Sequence, residues 1–266
     1  MVTLCRHAEM RAAKALKSEG YALLDSEFFG GSDPEIRCAR DEFAQSCQDL
    51  PRDEQAGNHN RYRRYGNFVL LPWSGTLEAV PPVWNDRKKQ LVSNYMQSPQ
   101  LNPEYNGQLR FFAPLTDGQA KNGFLRHAIM TSFRSIEWQH PSQPVSIGCH
   151  LIRLEATLEL AGISSPDLVH RDGEPFTVAA LIDRQGVIGG ENLITVPEVA
   201  NRHPSEIKDE AIIERFTLDR PWDGWIVDDK RVAHYVSPVT VADGHQRGAR
   251  TVVLIDFTSM VPDVQN

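Results

Sequence analysis

A chain of 266 residues, 41% hydrophobic and 24% charged, is long enough to bury a sizeable core and has the make-up of an ordinary globular protein. Its net charge of −7 argues against a broad basic face for nucleic acid, so an anionic ligand has to be met by individual arginines. Cys5, Cys38, Cys47 and Cys149 form no Cys-x-x-Cys pair, which speaks against a structural zinc site and for free thiols in a reducing compartment. The first residues carry charge throughout, and no stretch approaches the ~18 consecutive apolar residues of a membrane span. The expected location is the cytoplasm, with no membrane partner.

Ala8, Ala12 and Leu16 share one face of an amphipathic helix predicted over 5–19, ended by Gly20 and followed by a short strand, Tyr21–Leu24. Ser32-Asp33-Pro34-Glu35 reads as a helix start. Ser32 or Asp33 caps it, Pro34 sits in the first turn, and the helix runs to about Gln48. Residues 57–71 are basic and aromatic and end as an apolar strand; Pro72, Pro81 and Pro82 punctuate a loop, and 84–97 fit no single pattern. Phe124, His127, Ala128, Ser132 and Ile136 stand near helical spacing within 121–139. Alternation predicts a strand over 145–157, and β-prone runs follow at 174–183, 191–196, 214–218, 225–227, 232–236 and 249–258. Helices first and then many strands, with no βαβ alternation, predict a mainly β protein: a sandwich or barrel core with an N-terminal helical layer. Nothing divides the chain, so 1–266 reads as one domain, with a helical and mixed part to about 140 and the β core over about 145–257.

His170 and Asp172 stand two apart at the head of an apolar run, Phe176–Ile182. On a strand such positions face the same side, where a neutral imidazole and a carboxylate can hold a divalent metal. A two-histidine, one-carboxylate site needs one more imidazole from elsewhere in the fold. His150, His203 and His245 compete, but His234 lies in a β-prone run between a polar turn and Pro238. Arg250 opens an otherwise apolar strand, where a guanidinium wants a carboxylate partner; Arg247 in the preceding turn is its competitor. Gly189-Gly190 reads as a tight turn, and Trp222 and Trp225 as core and turn residues.

The run from His170 through Gly189-Gly190-Glu191 resembles the iron-binding segment of the Fe(II)/2-oxoglutarate dioxygenases, in the subgroup of bacterial L-isoleucine 4-hydroxylase. That subgroup carries His-x-Asp-Gly, an apolar strand, then Asn-Arg and Gly-Gly-Glu; here Asp183-Arg184 stands at the Asn-Arg position. Cys149–Arg153 resembles its His-x-x-Arg strand, and Arg61–Gly66 its Arg- and Tyr-rich N-terminal stretch. The resemblance is strongest over about 145–257. It implies a double-stranded β-helix (a jelly-roll, cupin-like core), Fe(II) on His170, Asp172 and His234, and 2-oxoglutarate anchored by Arg250. It further implies O2, succinate and CO2, and hydroxylation of an unactivated C–H bond in a free amino acid. Arg64, Tyr65 and Arg153 are then candidates for the substrate carboxylate, Glu174 or Asp183 for its ammonium, and the 61–65 cluster for a lid. Desaturation, epoxidation or ring closure by the same chemistry stay open. So do a metal-dependent cupin-type enzyme without 2-oxoglutarate and a binding module with a vestigial site.

Overall fold

Ala8, Ala12 and Leu16 are buried along one face of α1 (Val2–Glu19). Gly20, with φ of +83°, turns the chain into β1 (Tyr21–Leu24). Asp33 caps α2 (Pro34–Ser46), its carboxylate accepting from the Glu35 and Ile36 amides. The computed structural model describes residues 2–57, 60–97, 107–164 and 166–261.

β2 (Arg61–Leu71) and β3 (Thr76–Ala79) form a hairpin, and β4 (Val83–Asn85), β5 (Gln90–Tyr95) and β6 (Arg110–Phe112) make a small sheet of their own. The helix expected over 121–139 is two: α3 (Asp117–Lys121) and α4 (Gly123–Ser135). The break is at Asn122, whose side chain accepts from the Phe124 and Leu125 amides and so starts a new helix. Then come β7 (Val145–Thr157), β8 (Phe176–Gln185), β9 (Val187–Gly189), β10 (Glu191–Thr195), β11 (Ile212–Thr217), β12 (Gly224–Asp228), β13 (Ala233–Val236), β14 (Val239–Val241) and β15 (Arg247–Ser259).

The major sheet is antiparallel with strand order β1-β12-β8-β15-β7-β2-β3. Three of its strands come from the first 140 residues, which therefore supply sheet as well as helices. Leu151, Val178, Ile226, Val253 and Ile255 turn to the helical side and pack with Leu16, Phe43, Phe124 and Ile129. Ile152, Leu154, Ala179, Leu181, Trp225 and Val252 turn the other way, towards Ile194 and Val239 of the smaller sheets β11-β10-β13 and β14-β9. The result is a mainly β jelly roll with helices covering the outer face of its larger wall. Among the described residues, no helix is long and apolar enough to cross a membrane.

Candidate active site

His170 does not lie on a regular strand. It forms an isolated antiparallel bridge with His234 of β13, each amide donating to the other's carbonyl at 2.9 Å. Asp172 follows in the loop before β8, so strand alternation is not what joins it to His170. The loop is held by Asp229, whose carboxylate accepts from the Asp172 and Gly173 amides at 2.8 and 2.9 Å. The ligand atoms of His170, Asp172 and His234 all come within 4.8 Å of one another. His170 Nε2 is 3.5 Å from Asp172 Oδ1 and His234 Nε2 is 3.5 Å from Asp172 Oδ2, and Thr177 Oγ1 donates to Oδ2 at 3.0 Å.

The donors present a set a divalent metal can use. His170 Nδ1–H donates to the Leu168 carbonyl at 2.8 Å, which leaves Nε2 as the lone-pair nitrogen. Burial, then the neighbouring His170, pushes His234 down to about 4, so its imidazole is neutral. Burial acts to raise the Asp172 carboxyl, but His234, His170 and Thr177 outweigh it and hold it well below the carboxylate range. His170 goes the other way, its burial outweighed by Asp172 and the Leu168 carbonyl.

These three residues open into a cavity between the two walls. Arg250 lines it, is 4% exposed, and forms no ion pair among the described residues. Burial and the adjacent Arg184 lower its pKa to about 10. Gly190, with φ of +67°, leaves room for it: a Cβ there would sit 3.1 Å from Arg250 Cδ. A buried guanidinium without a carboxylate, in one cavity with a His-Asp-His cluster, fits a dicarboxylate that also meets the metal.

The other expected residues divide. Glu174 lines the cavity and accepts from the Tyr95 hydroxyl at 3.1 Å; burial, Asp256 and Asp172 push its carboxyl up to about 9. Tyr65 is buried against His150, ring centroids 4.3 Å apart, without lining the cavity. Arg64 lies outside, donating to the Pro114 carbonyl at 2.8 Å. Arg153 and Asp183 also lie outside, in a separate surface groove, and Arg153 pairs there with Glu155. The cause is strand parity. Arg61, Arg63 and Tyr65 register against Leu154, Ile152 and His150 on the cavity side, which turns Arg64 and Arg153 to the opposite face. Asp183 is displaced by a bulge: the β8 register against β15 skips Ile182 between Leu181 and Asp183, so residues after it change face.

The cavity instead takes Arg63 and His150 from the major sheet, and Tyr95, Gln97 and Arg110 from β5, β6 and the segment after β5. Asp256 of β15 and Trp225 of β12 complete that end, Trp225 with its ring 5.1 Å from His234. Gln97 donates to the Asp172 carbonyl at 3.2 Å and accepts from Arg110 at 2.7 Å, so the β4-β5-β6 sheet covers the site where the 61–65 cluster was expected to.

The family model described as 2OG-Fe dioxygenase matches residues 44–256. The chain is 22% identical over 258 residues to the 3(1)-hydroxy-L-isoleucine 4-dioxygenase of Pantoea ananatis, covering 93% of this chain and 95% of that protein. It is 27% identical over 170 residues to the L-isoleucine-4-hydroxylase of Bacillus thuringiensis, covering 62% of this chain and 65% of that protein. Among solved structures, a BsmA homologue from Methylobium petroleophilum superimposes with a TM-score of 0.74 at 23% identity, covering 95% of this chain and 94% of that one. The IDO structure from Bacillus thuringiensis superimposes with a TM-score of 0.72 at 20% identity, covering 95% and 100%. The chain belongs to the 2OG-Fe dioxygenase family, enzymes that work with Fe(II), 2-oxoglutarate and O2.

Proposed function

We propose that this enzyme hydroxylates an unactivated C–H bond of a free L-amino acid or similar small polar molecule, releasing succinate and CO2, with 1–266 acting as one oxygenase unit. His170, Asp172 and His234 would hold the iron through Nε2, one carboxylate oxygen and Nε2. Arg250 would take the distal carboxylate of 2-oxoglutarate through its planar fork. Bound there, iron would activate O2, the oxidant, with the oxoacid giving two of the four electrons as it becomes succinate and CO2 and the substrate's C–H bond the other two. The chain's own work is placement and exclusion. Thr177 and Asp229 keep Asp172 aimed at the two imidazoles. Trp225, Ile152, Leu154 and Val252 close the walls and keep water from the reacting carbon.

The observation that carries this reading is the unpaired, buried Arg250 in one cavity with the His-Asp-His cluster. A cupin-type enzyme that needs no oxoacid has no use for that guanidinium. The names of the two relatives, an isoleucine hydroxylase and a hydroxyisoleucine dioxygenase, support an amino acid as substrate. Anaerobically iron-loaded protein is incubated with 2-oxoglutarate, O2 and a panel of proteinogenic and non-proteinogenic amino acids. A product heavier by one oxygen atom, formed with equimolar succinate, is the expected result. Loss of two hydrogens would mean desaturation or ring closure, and oxidation without succinate would refute the role of the oxoacid.

A further inference from the structure

Arg63 Nε and Glu174 Oε2 are buried, face the same cavity and have no hydrogen-bond partner among the described residues. They do not pair with each other. Arg63 is 8% exposed, and one of its terminal nitrogens donates to His150 Nδ1. His150 Nε2 in turn donates to Asp256 at 3.1 Å, and Asp256 accepts from the Gly148 amide at 3.0 Å. This relay fixes the guanidinium but leaves its Nε without an acceptor among the described residues. Glu174 uses its other oxygen for the Tyr95 hydroxyl. Tyr95 joins the two groups: its ring centroid lies 5.8 Å from the Arg63 guanidinium carbon, while its hydroxyl meets Glu174. The Phe112 ring, 4.3 Å from that carbon, packs beside the guanidinium.

Buried polar atoms are costly unless a partner arrives. One small ligand satisfies both: a molecule with a carboxylate and an ammonium on the same carbon. The geometry points to Arg63 and Glu174 as a clamp for the free α-amino acid headgroup, Arg63 taking the carboxylate and Glu174 the ammonium. This rests on the amino acid reading above and deepens it. Glu174 follows Asp172 by two residues, so a headgroup held there lies beside the ligand cluster and only the substrate's side chain is offered for oxidation. A residue inside a peptide lacks both charged groups, leaving the buried Arg63 guanidinium without a counter-ion, and its chain continues on both sides of the headgroup position. The substrate class is therefore amino acids free at both ends.

The test uses the iron-loaded enzyme and succinate release with an L-amino acid, its primary amide and its N-acetyl derivative. Each blocked form is expected to lose at least about 100-fold in kcat/KM, because blocking removes the charged partner that a buried group of the clamp is paired with. In Arg63→Gln the gap between acid and amide narrows, and in Glu174→Gln the gap between free and acetylated amine narrows, each mainly through KM. That crossed pattern is one a merely structural role does not produce; equal losses on all three substrates in both variants overturn the assignment. Blocked derivatives turned over by wild type within about threefold of the free acid overturn the clamp and leave the hydroxylase reading standing. Turnover of no amino acid, free or blocked, overturns both.

Discussion

Replacing Arg250 with methionine should move stability and co-substrate affinity in opposite directions. The folded protein lowers this guanidinium's pKa from 12.5 to about 10, burial first and Arg184 second, which is worth roughly 3 kcal/mol against the charged form. The sign follows from linkage. The unfolded chain holds the proton more tightly than the folded one, so the folded state carries this cost everywhere below the folded pKa, neutral pH included. Methionine removes the charge and keeps much of the apolar stem. Without 2-oxoglutarate the variant should gain about 1–3 kcal/mol, or roughly 2–10 °C in Tm for a chain of this size. With 2-oxoglutarate the order reverses, because losing one partner of a buried charged pair costs about 2–5 kcal/mol and so weakens Kd by roughly 30- to 5,000-fold. The assay is thermal unfolding of manganese-loaded protein under nitrogen, with and without 2-oxoglutarate, alongside calorimetric titration of the oxoacid. A variant less stable than wild type without 2-oxoglutarate, or one whose Kd stays within about threefold, would refute the reasoning.

Asp229→Ala frees the Asp172 and Gly173 amides from their acceptor; calorimetry should show Fe(II) affinity lower by about 10- to 100-fold, and an unchanged affinity would mean the loop is held by something else. Asp53 and Arg61 form an ion pair at 2.8 Å with side chains 0% and 1% exposed. Asp53→Ala should cost about 3–5 kcal/mol in urea unfolding, and a loss under 1 kcal/mol would show the charge to be otherwise compensated. In the native protein iodoacetamide should label Cys38 but not Cys47 or Cys149, as mapped by mass spectrometry. Cys38 is exposed, whereas burial pushes the Cys47 thiol up to about 12 and Cys149 well above its ordinary value.

That His170, Asp172, His234 and Arg250 meet in one cavity was legible in the sequence, because the four rest on a local motif, His-x-Asp, and on two residues opening or lying within β-prone runs. The helix starts were legible where a cap spoke for them, as at Asp33. Which way a strand faces was not. The major sheet is covered by helices on one side and by the smaller sheets on the other, so β7 and β8 bury apolar residues on both faces, and the alternation that marks 145–157 as a strand does not say which face holds the cavity. A strand read one residue out of phase offers Arg64 and Arg153 in place of Arg63 and His150, the pair that lines the cavity. The bulge after Leu181, which moves Asp183, left no mark in composition. The β4–β5 hairpin was hidden for a different reason. Its turn is closed by Asn85, which accepts from the Arg87 and Lys88 amides, and its left-handed position is Lys89, with φ of 53°. A turn without glycine gives no signal, and with it went Tyr95, Gln97 and the covering sheet.

β15 carries Arg250 near one end and Asp256 near the other, both turned to the cavity and six residues apart, a span of about 20 Å of strand. Because β7 and β8 grip it along both edges, that rod can neither stretch nor slide. The gap between the two charged ends is thus a fixed gauge. A longer or shorter occupant has to be fitted by trimming or filling the side chains between the marks, Val252 and Leu254, and not by any shift of the backbone that bears them.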